Sequence, residues 1–267
     1  MTKSNEGDNK PSAEDEEEQR SQRVTVKQRD PITGVPTVVE VEGMYIGGQA
    51  FSVQRNDTVM LYSEEGLPYI GVVLDFDEAE DEGRPGEMEV QARTCWLYRT
   101  RDLKGAAKLA MEEEPAVTRR AVLSEAKAGG DKGTLQEVFM SNHANHVFAA
   151  SIMHHIRVWC LPDGRLEPLL LPAGAAGGGP PPGASAASGP AVSRGVLLPG
   201  FVARRMYQTS KARLLPLGKV GPAVAKKELE PWVGEMVSEL LRRTQAHLPA
   251  AMADWVRRCG ERQARYE

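Results

Sequence analysis

The sequence predicts a mainly β fold with an inserted helical segment and a C-terminal α-helical extension. Three observations carry this. From residue 23 to 99, short runs with alternating or β-branched apolar residues recur between turn signals, as in RVTVKQ, VPTVVEVEG, DTVMLYS, PYIGVVLDFDEA and MEVQARTCWLYRT. Runs at that spacing suit a small barrel or sandwich. Between Arg99 and Gly133 the composition shifts to Ala, Glu, Lys and Leu. From Pro231 the apolar residues recur with a helical period.

The chain has 267 residues, a formal net charge of −4 and three cysteines. The slight acidity is not the overall charge of a nucleic-acid binder, so local patches matter more than the sum. Cys95, Cys160 and Cys259 have no CxxC spacing, and an odd count argues against a disulfide framework. A reducing compartment is expected. The N-terminal stretch has no apolar signal segment, and no run approaches the ~20 apolar residues of a membrane helix. The expectation is a soluble intracellular protein that does not engage a membrane.

Residues 1–22 are polar and acidic, with EDEEE at 14–18. They are expected to be disordered, because they cannot bury enough apolar area to offset ordering entropy. RVTVKQ, the turn DPITG and the alternating VPTVVEVEG predict a hairpin. Arg55, Asn56 and Asp57 form a polar turn before the strand DTVMLYS. PYIGVVLDFDEA predicts a strand, DEAEDEGRPGE an acidic loop, and MEVQARTCWLYRT the next strand. Residues 100–132 predict one or two short helices, broken near Pro115 and stopped at Gly129 and Gly130.

EVFMSNHANHVFAASIMHHIRVWCL returns to strand character on both sides of a polar SNHANH turn. Residues 172–195 are low in complexity, dominated by Gly, Pro, Ala and Ser, and read as a loop or linker. VLLPGFVARRMYQTSKARLLPL predicts a strand or strand pair. Pro231 suits a first helical position. Trp232, Val233, Met236, Val237, Leu240 and Leu241 then make one apolar stripe, expected to pack on the barrel or on another helix. Pro249 is expected to start a second helix with Met252, Trp255, Val256 and Cys259 on one side. Arg242, Arg243, Arg257, Arg258, Arg262 and Arg265 lie on the polar faces, which leaves weak DNA contact open.

Taken in order, NDTVMLY, PYIGVVLDF, CWLY and EVFMSNHANHVFAASIMHHIRV resemble the BAH (bromo-adjacent homology) domain of chromatin proteins. FVARRMY, with Phe201, Arg204 and Tyr207, resembles the F-x-x-R-x-x-Y strand that follows the core in plant-type BAH regulators. The resemblance spans about residues 40–217 and weakens toward 245. It implies a BAH-type distorted β-barrel over 40–217, with the helical insertion at about 100–132 and the loop at 172–195, followed by the extension at 218–267. It further implies a nuclear chromatin reader acting in gene silencing and transcriptional repression. Its partner would be a methylated histone H3 tail, alongside other chromatin-regulator proteins. In the family group that reads trimethyl-lysine, the cage positions correspond to Tyr69, Trp96 and Tyr98. The turn corresponding to Ser141–Asn145 contributes peptide contacts, here from Asn142, His143 and Asn145. Plant readers often carry Asp where Asn142 and Asn145 stand.

Physical chemistry is compatible with that assignment. A trimethylammonium donates no hydrogen bond, and two or three aromatic faces attract it by cation–π interaction. Trp96 and Tyr98, two apart on a strand, share a face. Without the resemblance, the same two residues read first as core. Between Asp75 and Glu89 stand eight carboxylates and one arginine, a patch that would attract a basic tail if it lay beside the cage.

No G-x-S-x-G, phosphate-binding loop, HExxH or nucleophile–base set is present, so no catalytic residue and no cofactor are assigned. His143 and His146 have HxxH spacing, with no further ligand near them in sequence, and no metal site is assigned. The alternative function is a BAH scaffold that binds a protein partner without reading methyl-lysine.

Overall fold

The structure is a computed structural model that describes residues 24–42, 49–64, 66–80, 86–113, 122–123, 135–162, 170–171, 196–197, 200–221, 224–225, 227 and 229–263. The acidic tail at 1–22, the low-complexity segment at 172–195 and the proposed breaks at Pro115 and Gly129–Gly130 lie outside the described residues.

Strands β1 (Val24–Arg29), β2 (Pro36–Glu42) and β3 (Ala50–Gln54) form a three-stranded antiparallel sheet. A larger sheet contains β4 (Thr58–Leu61), β5 (Tyr69–Glu80) and β6 (Met88–Arg99). A 3-10 turn (Thr100–Asp102) and helix α1 (Gly105–Glu112) follow, then β7 (Val122–Leu123) and β8 (Leu135–Phe148). The chain continues through β9 (Ile152–His155) and β10 (Val158–Cys160) to the short pair β11 (Leu170–Leu171) and β12 (Val196–Leu197). It ends with β13 (Gly200–Ala203), β14 (Arg205–Gln208), β15 (Arg213–Pro216) and helix α2 (Pro231–Gln263). The large sheet runs β10-β13-β8-β6-β5-β4-β9, with β14 and β7 also paired to β8 and β15 paired to β14. The predicted class holds: among the described residues the fold is mainly β, with a short helix in the insertion and a long C-terminal helix.

Two apolar layers sit on opposite faces of the central strands. On one face, Ile70, Val72, Leu74, Cys95, Leu97 and Met140 pack under α2. On the other, Val73, Phe76, Val90 and Ala92 meet Val39, Val41 and Val53 of the small sheet. This double burial explains why PYIGVVL is a nearly unbroken apolar run rather than a strict alternation.

The stripe predicted on the C-terminal helix does the docking. Val233, Met236, Val237 and Leu240 are buried in the first layer, with Trp232 and Leu241 packed at its margin. Thr244 accepts the Cys160 N–H at 3.0 Å, and Arg243 donates to the Asn56 carbonyl at 3.0 Å. Asn56, at φ 66°, adopts the left-handed conformation that Asn tolerates.

Three expectations are corrected. The C-terminal region is one helix, with Pro249 inside it rather than at the start of a second. Pro249 and Gln245 are both exposed, so the carbonyl that Pro249 leaves without an N–H donor faces water while the opposite face keeps its contacts. SNHANH is not a turn but part of the fourteen-residue strand β8. Its polar residues form a bulge: Cys95 pairs with Ala144 and Leu97 with Met140, so Ser141, Asn142 and His143 stand opposite Trp96 alone. The Ser141 hydroxyl makes this possible by donating to the Trp96 carbonyl at 2.8 Å and accepting the His143 N–H at 3.1 Å. Finally, the expected acidic loop at 77–87 starts inside the sheet: β5 extends to Glu80, so its first residues are strand, and β6 begins at Met88.

Candidate functional site

β5 and β6 position the aromatic residues. Gly71 pairs directly with Trp96, and Tyr69, two residues earlier, projects from the same side of β5. The Tyr69 and Trp96 rings meet edge-on, with centroids 5.6 Å apart and planes at 63°. Tyr69 is exposed, whereas Trp96 rests partly on the second apolar layer. Gly71 is the residue that permits this corner. A Cβ there would collide with Thr94 Cγ2 and crowd the Cys95 carbonyl. A glycine inside a strand pattern is the sequence signal for such a close approach.

Tyr98 is anchored differently. Its ring meets Tyr207 edge-on, with centroids 5.3 Å apart and planes at 73°. Its hydroxyl lies 2.9 Å from His143 Nδ1. Partial burial, reinforced by Tyr207, pushes the Tyr98 phenol above its ordinary value. Tyr98 packs on a third cluster, formed by Leu103, Ala107, Met111, Phe139 and Tyr207, which ties the helical insertion to this end of the sheet.

The three polar candidates separate. His143 joins Tyr98. Asn142 uses its Oδ1 to accept from the Thr209 N–H at 3.0 Å and the Thr209 hydroxyl at 3.2 Å, which fixes the turn after β14. Asn145 is exposed and sits opposite Thr94 in the ladder.

The acidic patch does not adjoin the aromatic set. Asp77 lies eight residues along β5 from Tyr69, which is ~25 Å in an extended strand. Its described members are also paired. Arg29 grips Glu78 with two 2.7 Å bonds, and Asp75 meets Arg93 at 3.4 Å. Asp77 meets His146 at 3.2 Å. Ligand atoms of Asp75, Asp77 and His146 fall within 4.8 Å of one another, but the Arg93 guanidinium already supplies positive charge there.

Sequence reasoning missed two supports. Arg99 Nη2 donates to the Pro68 carbonyl at 2.6 Å, fixing the residue before Tyr69. Glu137 is buried between Arg204 and Arg205, accepting from both at 2.8–3.2 Å. The FVARRMY motif therefore places Tyr207 against Tyr98 and a buried guanidinium, Arg204, on Glu137. Two of the helix arginines are engaged as well: Arg242 and Arg243 both donate to Glu239, at 2.8 Å. A cleft of about 230 Å³ between α2 and β9 is lined by Asp57, His155, Arg157, Arg243 and His247, and by none of the three cage candidates.

No protein-family model matches the chain, and no curated protein matches it. Among solved structures, it is similar to the BAH domain of yeast Rsc2, at 11% identity and a TM-score of 0.32. The match covers 66% of this chain and 53% of that one, so this chain spans about half the length of the structure it resembles. That likeness transfers no residue's role.

Proposed function

We propose that this chain is a chromatin-binding module of BAH type that recognises a methylated lysine on a histone H3 tail and acts in transcriptional repression in the nucleus. The order of motifs in the sequence supports the family. The observation that carries the site is the Tyr69–Trp96 corner. Two aromatic faces at 63°, one of them exposed, offer a methylammonium two π surfaces without demanding a hydrogen bond. Tyr98 is the third wall in this reading, with its phenol held by His143. Asn145 is the polar candidate left exposed for the peptide.

A second reading, a scaffold that binds a protein partner without methyl-lysine selectivity, is favoured by one observation. Tyr207 and His143 both engage Tyr98, which leaves less of that ring for a ligand.

Titration of the full chain with un-, mono-, di- and trimethylated H3 peptides separates the two. A reader binds in a methylation-dependent order, and Trp96→Ala removes that order. A scaffold shows no such order in the wild type.

A further inference from the structure

The ladder β5–β6–β8 brings together three metal-ligating side chains that lie far apart in the sequence. Asp75 pairs with Arg93, and Arg93 with His146. Asp77 is two residues on from Asp75 and shares its face. Phe76, between them, enters the second apolar layer. Both carboxylates therefore point the other way, to the side where Arg93 stacks on Trp232 of α2 at 5.5 Å. β5 and β8 lie two strand spacings apart, ~10 Å, and these side chains close that gap over β6. His146 Nε2 lies 3.2 Å from Asp77 Oδ2. One ligand atom from each of Asp75, Asp77 and His146 falls within 4.8 Å of the other two. Asp75 adds an independent observation. Its Oδ2 meets Arg93 at 3.4 Å, while its Oδ1 is closed off from water and has no hydrogen-bond partner. A buried carboxylate oxygen left in that state costs free energy, and a cation would satisfy it. Arg93 holds the far oxygen, as outer hydrogen bonds do for metal-bound carboxylates.

We propose that Asp75 Oδ1, one Asp77 oxygen and His146 Nε2 bind a divalent transition-metal ion of the zinc class. Tetrahedral bonds of ~2.0–2.1 Å put neighbouring ligand atoms ~3.3 Å apart. Asp77 and His146 already stand at that separation. Both side chains are about half exposed, so rotation can bring them onto Asp75. A fourth position is left for water. The ion braces β5 to β8 across β6. Arg93 offsets one of the two carboxylate charges, so an ion held by charge alone, such as calcium, gains little here. A transition ion gains the imidazole nitrogen as well. The HxxH spacing of His143 and His146 is not the signal, because His143 bonds Tyr98 and His146 finds its partners on β5. Trp96 packs on the second layer, so the ion site lies on the opposite face of the sheet and is independent of the methyl-lysine reading.

The test uses the full chain, stripped of metal with EDTA and desalted. Isothermal titration calorimetry with zinc chloride should show binding by the wild type. His146→Ala and Asp77→Asn should each weaken it at least ~10-fold. Calcium chloride should bind at least ~10-fold more weakly than zinc. Imidazole nitrogen NMR locates the ion: zinc should shift the His146 Nε2 resonance and leave the His143 resonances in place. Both substituted positions are exposed, and a thermal melt checks the fold. No zinc binding by the wild type overturns the site. Zinc binding undiminished in either variant overturns the three-ligand set, as does a His146 resonance that zinc does not move. Calcium binding as tight as zinc binding overturns the transition-metal assignment and leaves an acidic patch only.

Discussion

His143 Nδ1 and the Tyr98 hydroxyl share a 2.9 Å hydrogen bond, joining a residue of the β8 bulge to one of the proposed cage. The bulge exists because Ser141, rather than a neighbouring strand, satisfies the Trp96 carbonyl. The proposed peptide contact and the proposed cage thus share the same few residues, and substitutions around them separate recognition from support.

Tyr69→Ala and Trp96→Ala should behave differently. Tyr69 is exposed, so its loss should weaken trimethyl-lysine binding ~5- to 30-fold with a nearly unchanged melt. Trp96 packs partly on the second layer, so its loss should cost the same selectivity and also ~1–3 kcal/mol of stability, below the range for a fully buried tryptophan. Peptide titration and urea unfolding of both variants check this. Loss of stability without loss of selectivity in Trp96→Ala would assign that residue to the core.

Gly71→Ala tests the corner from beneath. The added methyl meets Thr94 Cγ2, and that side chain or the strand must shift to admit it. The expected cost is ~1–3 kcal/mol, typical of overpacking, read from the urea midpoint. A neutral result would mean that the β5–β6 ladder has slack next to Trp96.

The sequence carried the element types well where one period prevailed. Val233, Met236, Val237 and Leu240 announced a docked helix face, and that face is buried. It failed where a side chain replaced a strand partner. SNHANH looks like a turn because Ser, Asn and His satisfy backbone groups locally, yet Ser141 uses that capacity to hold a bulge in a continuous strand. The acidic run from Asp77 likewise suggests a loop, although its first residues to Glu80 are strand. Cross-strand partners such as Arg29 and His146 keep it in the sheet, and those partners are distant in sequence. The aromatic trio was named from a resemblance. Residue spacing alone put Trp96 and Tyr98 on one face, but could not place Tyr207 against Tyr98.

Glu137→Ala should be among the most damaging single changes. Glu137 and Arg204 are 2% and 3% exposed, with Arg205 bonded to the same carboxylate. Removing the carboxylate takes the acceptor shared by two guanidinium groups out of a buried site, at ~3–5 kcal/mol. Chemical denaturation measures it, and a loss under ~1 kcal/mol would show that water reaches Arg204.

Thr244→Val should loosen α2 without altering its shape. The Cys160 N–H would lose its hydroxyl acceptor in a buried setting, costing ~1–3 kcal/mol. Hydrogen exchange localises the effect: protection should fall at Cys160 and along the first half of α2. Unchanged exchange there would mean that another acceptor takes the N–H.

Cys95 and Cys160 supply a prediction in pH. Both thiols are buried, and burial pushes each up to about 12. The thiolate is the reactive form, so neither residue should be alkylated in the native protein at pH 8, and both should be labelled once it unfolds. Mass-spectrometric mapping reads the two sites separately. The sign of the accompanying stability change follows from the upward shift. The folded state holds these protons more tightly than the unfolded chain, whose thiols titrate near 9. Stability from this source is therefore complete below pH 9 and is lost as pH rises toward 12. A Cys95→Ala, Cys160→Ala chain starts lower, because the substitutions leave small cavities in the layer under α2. It should nevertheless lose less between pH 9 and 12 than the wild type. Parallel alkaline losses in the two proteins would show that other groups govern the high-pH limit.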